Sequence, residues 1–171
     1  QAPRVVFYPG SSIGNFNPAE ALALLKQAHA VCRSGGAGGG LLIGVDRVKP
    51  RAVLEPAYDD ALGVTAAFNR NLLLNVNRVL GADFAPAAWR HVGLFNTALS
   101  RIEMHLEAAA PQSVRWPGGQ RVFATGERLH TESSYKWEPH AFEALLQEAG
   151  FGSARHWTDE QGWFSVFWAP A

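Results

Sequence analysis

The stretch from Val5 to Asp46 leaves this chain the least freedom of fold. Val5-Val6-Phe7-Tyr8 is a short apolar run closed by Pro9-Gly10, the pattern of a buried strand. Gly10 to Phe16 reads as a loop. Asn17 can cap a helix, Pro18 suits the first helical position, and Glu20 can reach back to complete a capping box. Leu22, Leu25, Ala28 and Cys32 follow at helical spacing, and the glycine-rich run 35–40 ends that helix as a flexible connection. Leu41 to Val45 is a second buried strand, closed by Asp46. A strand, a helix and a strand in this order need a crossover, so the two strands are expected to be parallel. In open parallel sheets ligands sit beyond the carboxyl ends of the strands, which marks Gly10–Phe16 and the stretch after Asp46.

After Asp46 the pattern changes. Tyr58-Asp59-Asp60 leads into an amphipathic helix carrying Val64, Phe68, Leu72, Val76 and Leu80 on one face and stopped by Gly81. Trp89, Val92 and Phe95 fit a shorter helix. From Arg101 the period becomes two: Ile102, Met104 and Leu106 alternate with Glu103, His105 and Glu107. Residues 114–116 and 121–123 flank Pro117-Gly118-Gly119 as a hairpin. Another alternating stretch runs from Arg128 to Lys136. Phe142, Leu145, Leu146 and Ala149 form a last helix, followed by strands around Trp157 and from Trp163 to Trp168. The expected organisation is part of a doubly wound sheet over 1–49, an inserted smaller domain over 50–137, and a closing helix and strand pair over 138–171.

Fifteen basic residues balance fifteen acidic ones, so no overall field gathers phosphate backbones, and nucleic acid is not an expected partner. One cysteine, Cys32, allows no internal disulfide and no thiolate cluster; a reducing cytosol fits. No apolar run is long enough for a membrane span. The six histidines form no H-x-x-x-H or H-E-x-x-H pair, so no metal is expected. Gly10-Ser11-Ser12-Ile13-Gly14 matches the nucleophile elbow of α/β-hydrolases, with Ser12 as nucleophile. An elbow requires the helix to begin at the serine, whereas the helix signals begin at Asn17-Pro18. The opening Gln1-Ala2-Pro3-Arg4 runs at once into Val5, as in a chain entered mid-domain.

Five segments together resemble the histidine Nα-methyltransferases of ergothioneine biosynthesis. Gly10-Ser11-Ser12-Ile13-Gly14-Asn15-Phe16 is similar to the loop after that family's fourth sheet strand, and Leu41-Leu42-Ile43-Gly44-Val45-Asp46 to its fifth strand. Tyr58-Asp59-Asp60 with Gly63–Asn69, then Arg101-Ile102-Glu103-Met104, then Thr131-Glu132-Ser133-Ser134-Tyr135-Lys136 complete the set in the family's order. The resemblance implies an α/β fold: the second half of a doubly wound, Rossmann-like methyltransferase sheet with an inserted α+β substrate-recognition domain. It implies S-adenosylmethionine as methyl donor. The glycine loop and ribose acid for that cofactor belong to an N-terminal half that would precede Val5, so the cofactor-binding residues are not assigned here.

For the substrate, the resemblance implies that Asn15 donates to the amino-acid carboxylate and Tyr58 adds a second contact. The carbonyl of Gly10 would lie near the amine, and Thr65 would act through a water. Met104 would rest against the ring, and Glu132 and Ser134 would grip the imidazole. No catalytic acid or base is required, because alignment of a neutral amine with the methyl carbon is a positioning task. Rival readings are a methyltransferase for another amino acid, a fragment that only binds a ligand or partner such as the N-terminal half, and the serine hydrolase.

Overall fold

The structure, a computed structural model, describes residues 2–171. In chain order the first elements are β1 (Pro3–Tyr8), α1 (Pro18–Arg33), β2 (Gly36–Asp46), α2 (Arg51–Tyr58), α3 (Val64–Leu80) and β3 (Trp89–Asn96). Then come β4 (Arg101–Ala108), β5 (Gln112–Trp116), β6 (Gly119–Phe123), β7 (Arg128–Tyr135), α4 (Pro139–Glu148), β8 (Arg155–Thr158) and β9 (Phe164–Pro170). They form two compact units. The first comprises Gln1–Lys49, Thr97–Arg101 and Ser133–Ala171; the second comprises Pro50–Asn96 and Ile102–Glu132. The expected inserted domain, 50–137, is therefore shorter in the structure. Thr97–Arg101 and the chain from Ser133 belong to the first unit, where the Lys136 N–H donates to the Ser100 carbonyl at 2.8 Å and the Ser100 hydroxyl returns a bond to the Lys136 carbonyl at 2.9 Å.

The first unit carries a mixed four-stranded sheet in the order β1-β2-β9-β8. β1 and β2 are parallel, and β9 lies antiparallel between β2 and β8. α1 makes the crossover, and its start follows the sequence: the Asn17 side chain accepts from the Glu20 N–H at 3.0 Å while the Glu20 carboxylate accepts from the Asn17 N–H at 2.9 Å. The glycine run corrects the sequence reading. It is not a flexible connection; residues 36–40 are the first part of β2. A Cβ at Gly39 would stand 2.5 Å from the Arg4 carbonyl, and one at Gly40 2.6 Å from the Ala169 carbonyl. Glycine here lets strand backbones close on both sides. The core gathers Ile13, Leu25, Leu41, Ile43, Phe142 and Phe167.

The second unit holds a three-stranded sheet, β3-β4-β7, and the β5–β6 hairpin, which turns through Pro117-Gly118. Residues 89–96 are a strand, not the expected helix. Trp89 and His91 are buried either side of exposed Arg90, a period of two that the spacing of Trp89, Val92 and Phe95 masks. α2 is a helix the sequence reading lacks, its signal weakened by Pro56 inside it. α3 ends at Gly81 in the left-handed conformation, φ 65°, as expected. Its apolar row, however, faces outward within this unit: Val64 and Phe68 are each 66% exposed, whereas Asn69 and Leu73 are the buried residues. Two cores form, one around Trp89, Leu106, Val114 and Phe123, the other around Leu54, Ile102 and Met104. No helix among the described residues is long and apolar enough to cross a membrane.

Candidate functional site

In the first unit the segment after β1 is shaped by two conformations that favour glycine. Gly10 has φ 78°, and Ser11, which is not glycine, has φ 59°. A 3-10 turn covers Ser12–Asn15, where the sequence reading had a loop, and α1 begins only at Pro18. The Asp46 N–H donates to the Ser11 hydroxyl at 2.7 Å, tying this turn to the end of β2. A Cβ at Gly14 would meet the Tyr135 carbonyl at 2.8 Å and the Ser134 hydroxyl at 3.5 Å, so the turn lies directly on the end of β7. Thus Ser134 is brought beside the turn that carries Gly10 and Asn15, with Asn15 itself exposed. Ser12 does not open α1, which removes the geometry an elbow needs.

Beneath this turn sits a charged group. The Lys136 ammonium, with 0% of its side chain exposed, lies 2.8 Å from the Asp46 carboxylate and donates to the Ser134 hydroxyl at 2.8 Å. Lys49 pairs with the other Asp46 oxygen. The Trp137 N–H donates to the Asp46 carbonyl at 3.0 Å. Sequence reasoning missed Asp46 and Lys136 as a pair; the only signal was a lysine between the aromatic residues Tyr135 and Trp137.

In the second unit Met104 is 4% exposed and shares its core with half-buried Tyr58 and Phe95. The Tyr58 carbonyl accepts from His91 Nε2 at 2.7 Å. That makes Nδ1 of His91 the bare nitrogen, and it accepts from the Asn69 amide at 2.9 Å. Thr65 stands at the start of α3, where its N–H donates to Asp60 at 2.8 Å and the Val64 N–H donates at 3.0 Å. The backbone N–H of Thr65, then its hydroxyl, and the Val64 N–H hold the Asp60 carboxyl down to about 2. Glu132 is half-buried beside a cavity of about 160 Å³ also lined by Phe68, Leu72, Asn69 and Thr131. The Thr131 hydroxyl donates to the Met104 carbonyl at 2.9 Å, which fixes this part of β7 to β4.

The second unit also joins Glu103, His105 and His130, whose candidate ligand atoms lie within 4.8 Å of one another. The sequence expectation of no metal considered only local spacings and could not see this group, drawn from two strands. Glu103 uses one oxygen to accept from Asn96 at 3.0 Å and the other to meet His105 Nε2 at 3.1 Å. The two imidazoles stack with centroids 4.8 Å apart and planes inclined by 25°. Within this group His105 Nδ1 is buried with no hydrogen-bond partner. Burial lowers the His105 pKa, opposed by its bond to Glu103.

Against known families, the model of the "Histidine-specific methyltransferase, SAM-dependent" family matches residues 1–171. The chain belongs to that family. Two relatives, each called histidine N-alpha-methyltransferase, come from Mycolicibacterium smegmatis and Mycobacterium tuberculosis. Each is 44% identical over 165 residues, covering 95% of this chain and 50% of the relative. Ergothioneine biosynthesis protein 1 of Neurospora crassa is 31% identical over 91% of this chain and 17% of its own length. The chain thus spans about half the length of the mycobacterial relatives it matches. Among solved structures, that of the CcbJ methyltransferase from Streptomyces caelestis covers 100% of this chain and 61% of its own, with a TM-score of 0.49 at 14% identity.

This histidine-specific methyltransferase family depends on S-adenosylmethionine. The residues that hold it are not assigned among the described residues. A dinucleotide-type cradle needs a glycine-rich turn from a strand into a helix. The glycine run here lies mostly inside β2, where Gly39 and Gly40 are packed against neighbouring strands, and in the turn after β1 Gly14 is packed on Tyr135. No step is therefore derived through the cofactor from these residues.

Proposed function

We propose that this chain supplies the amino-acid-holding part of an enzyme that methylates the α-amino nitrogen of histidine, with S-adenosylmethionine as the donor. The observation that carries this reading is the family match along residues 1–171, at 44% identity to two relatives called histidine N-alpha-methyltransferase. In this reading Asn15 and Tyr58 hold the carboxylate, the Gly10 carbonyl faces the amine, and Thr65 contributes through a water. Its hydroxyl can still accept from a water while it donates to Asp60. Met104 supports the ring, and Glu132 and Ser134 bind the imidazole nitrogens. A carboxylate suits a ring N–H, because a charge-assisted bond is shorter and stronger than a neutral one. The bound donor would supply the methyl group; the residues of this chain keep the amine aligned, which is where positioning contributes to rate. A cytosolic location is proposed with it, on the strength of the single free and buried Cys32.

The test is calorimetry of the full-length polypeptide encoded by the gene, with histidine in the presence and absence of S-adenosylhomocysteine, followed by a methylation assay over a panel of amino acids. Histidine binding that strengthens with S-adenosylhomocysteine, together with histidine as the preferred acceptor, supports the reading. Preference for another amino acid overturns the substrate, and absence of methyl transfer to any overturns the activity.

A further inference from the structure

We propose that His91 is a positioning residue for Tyr58: it caps the end of α2 and so fixes the backbone from which the Tyr58 side chain, the proposed contact to the amino-acid carboxylate, projects. The inference deepens the reading above and rests on it for the role of Tyr58. Three observations in the second unit carry it.

The first is that α2 needs a fastening. It has 8 residues with Pro56 inside it, and a helix this short is marginal without outside contacts. Tyr58 is its last residue, so its carbonyl is among those that find no partner within a helix. His91 Nε2 supplies one at 2.7 Å, from a side chain only 1% exposed. The Asp59 carboxylate lies 3.9 Å from the same nitrogen, beyond hydrogen-bond length, so the proton goes to the carbonyl.

The second is that two other elements set His91 as the donor. Asn69, buried on α3, donates from its amide nitrogen to the His105 carbonyl of β4 at 3.2 Å. A carbonyl only accepts, so the end of Asn69 placed there is its nitrogen. The other hydrogen of that nitrogen meets His91 Nδ1 at 2.9 Å. Nδ1 is thereby the accepting nitrogen, and Nε2 carries the proton that Tyr58 receives. Both ring nitrogens of His91 are used, and the arrangement holds whatever else Tyr58 touches.

The third is that β3 is shaped to receive the end of α2. His91, Gly93 and Phe95 alternate onto one face of the strand. A Cβ at Gly93 would stand 3.0 Å from the Tyr58 carbonyl oxygen, so glycine lets the helix end come close. The Phe95 N–H donates to the Glu55 carboxylate at 2.9 Å, a second tie between β3 and α2.

The experiment compares His91→Leu with His91→Gln in the full-length polypeptide. Neither carries a ring, and only glutamine keeps an N–H donor. With S-adenosylhomocysteine present, calorimetry is expected to show histidine weakened about tenfold by His91→Leu and most of that loss recovered in His91→Gln. On a Tyr58→Phe background, His91→Leu is expected to cost nothing further. Equal losses with leucine and glutamine, equal losses with and without the Tyr58 hydroxyl, or no loss at all would make His91 structural only and overturn the proposal. A ligand-independent arm on the wild type covers variants that fail to fold. Long-range nitrogen–proton NMR is expected to find a slowly exchanging proton on His91 Nε2 and a bare Nδ1. A proton on Nδ1, or one on Nε2 that exchanges as fast as in free imidazole, overturns the proposal. Wild-type protein that shows this protected proton and yet ignores histidine would refute the proposed substrate and leave the hold of His91 on the end of α2 standing.

Discussion

Glu132 is half-buried on β7 beside a cavity, and a carboxylate there discriminates only among ligands that offer it an N–H. A hydrogen bond to a charged group is worth roughly 1.5–3 kcal/mol net, so Glu132→Ala is expected to weaken histidine by about tenfold to a hundredfold in the full-length protein. Phenylalanine, which never used that bond, should lose little. Asn15→Ala and Tyr58→Phe should instead weaken both ligands alike, since both carry the carboxylate. A competition assay reads all three, and equal losses for Glu132→Ala would remove it from the ring site. A second prediction concerns Asp60, whose carboxyl is held down to about 2 by the start of α3 against an ordinary 3.8. A depressed acid binds fewer protons in the folded state than in the unfolded one, so its contribution is present above about 3.8 and is lost as pH falls towards 2. Asp60→Asn should therefore lower the melting temperature near neutral pH, with the gap to wild type closing as pH drops through that window. A gap independent of pH would mean the bonds to Thr65 and Val64 do not depend on the charge. Of the candidate residues, the side chains were legible as types and the family resemblance supplied their roles. The partners of Ser134 and Thr65 were not legible: Lys136 is only two residues from Ser134, but spacing does not say whether two side chains bond, and Asp60 meets Thr65 through cap geometry that spacing does not encode.

The elements were read well where the signal is local and poorly where neighbouring strands decide. The capping box of α1, the end of α3 at Gly81 and the Pro117-Gly118 hairpin turn are all written within a few residues, and all appear. β3 was misread because Trp89, Val92 and Phe95 also fit a helical spacing, and pairing with β4 settles the matter from outside the segment. α3 was located correctly, yet its apolar row does not face the core of its unit, since a period fixes which residues share a face and not what covers it. The glycines of β2 are the sharpest case: composition reads as looseness, and the structure uses them for close approach. A methyl group at Gly40 would stand 2.6 Å from the Ala169 carbonyl and 2.8 Å from the Trp168 ring. Overpacking of this kind costs about 1–3 kcal/mol, so Gly40→Ala should shift the urea midpoint clearly downward. Gly118→Ala, with nothing within 4 Å of its Cβ, supplies a contrast in which only the turn's positive φ is penalised. Were Gly40→Ala as stable as wild type, the tight seam between β2 and β9 would be wrong.

At the scale of the whole molecule, the two units hold different parts of the proposed chemistry. The first carries Gly10, Asn15 and Ser134; the second carries Tyr58, Thr65, Met104 and Glu132. All of these are proposed as amino-acid contacts, and the residues that hold the methyl donor are not assigned. In the four-stranded sheet Gly39 and Gly40 are taken up by strand packing, and Gly14 in the turn after β1 packs on Tyr135. The chain also spans about half the length of its mycobacterial relatives. The 171-residue chain on its own is therefore expected to bind S-adenosylmethionine more weakly than micromolar, the level at which binding amounts to about −8.2 kcal/mol. Calorimetry with the isolated chain, and with the full-length polypeptide as the positive control, reads this directly. Weak binding by the chain and micromolar binding by the full-length protein would place the donor's site largely outside these residues. Micromolar binding by the chain alone would mean that the described residues contain a cofactor cradle of a kind other than the strand-to-helix glycine turn. The search for it would then start at the carboxyl ends of β1 and β2, beside Gly10 and Asp46, where an open sheet with parallel strands receives its ligands.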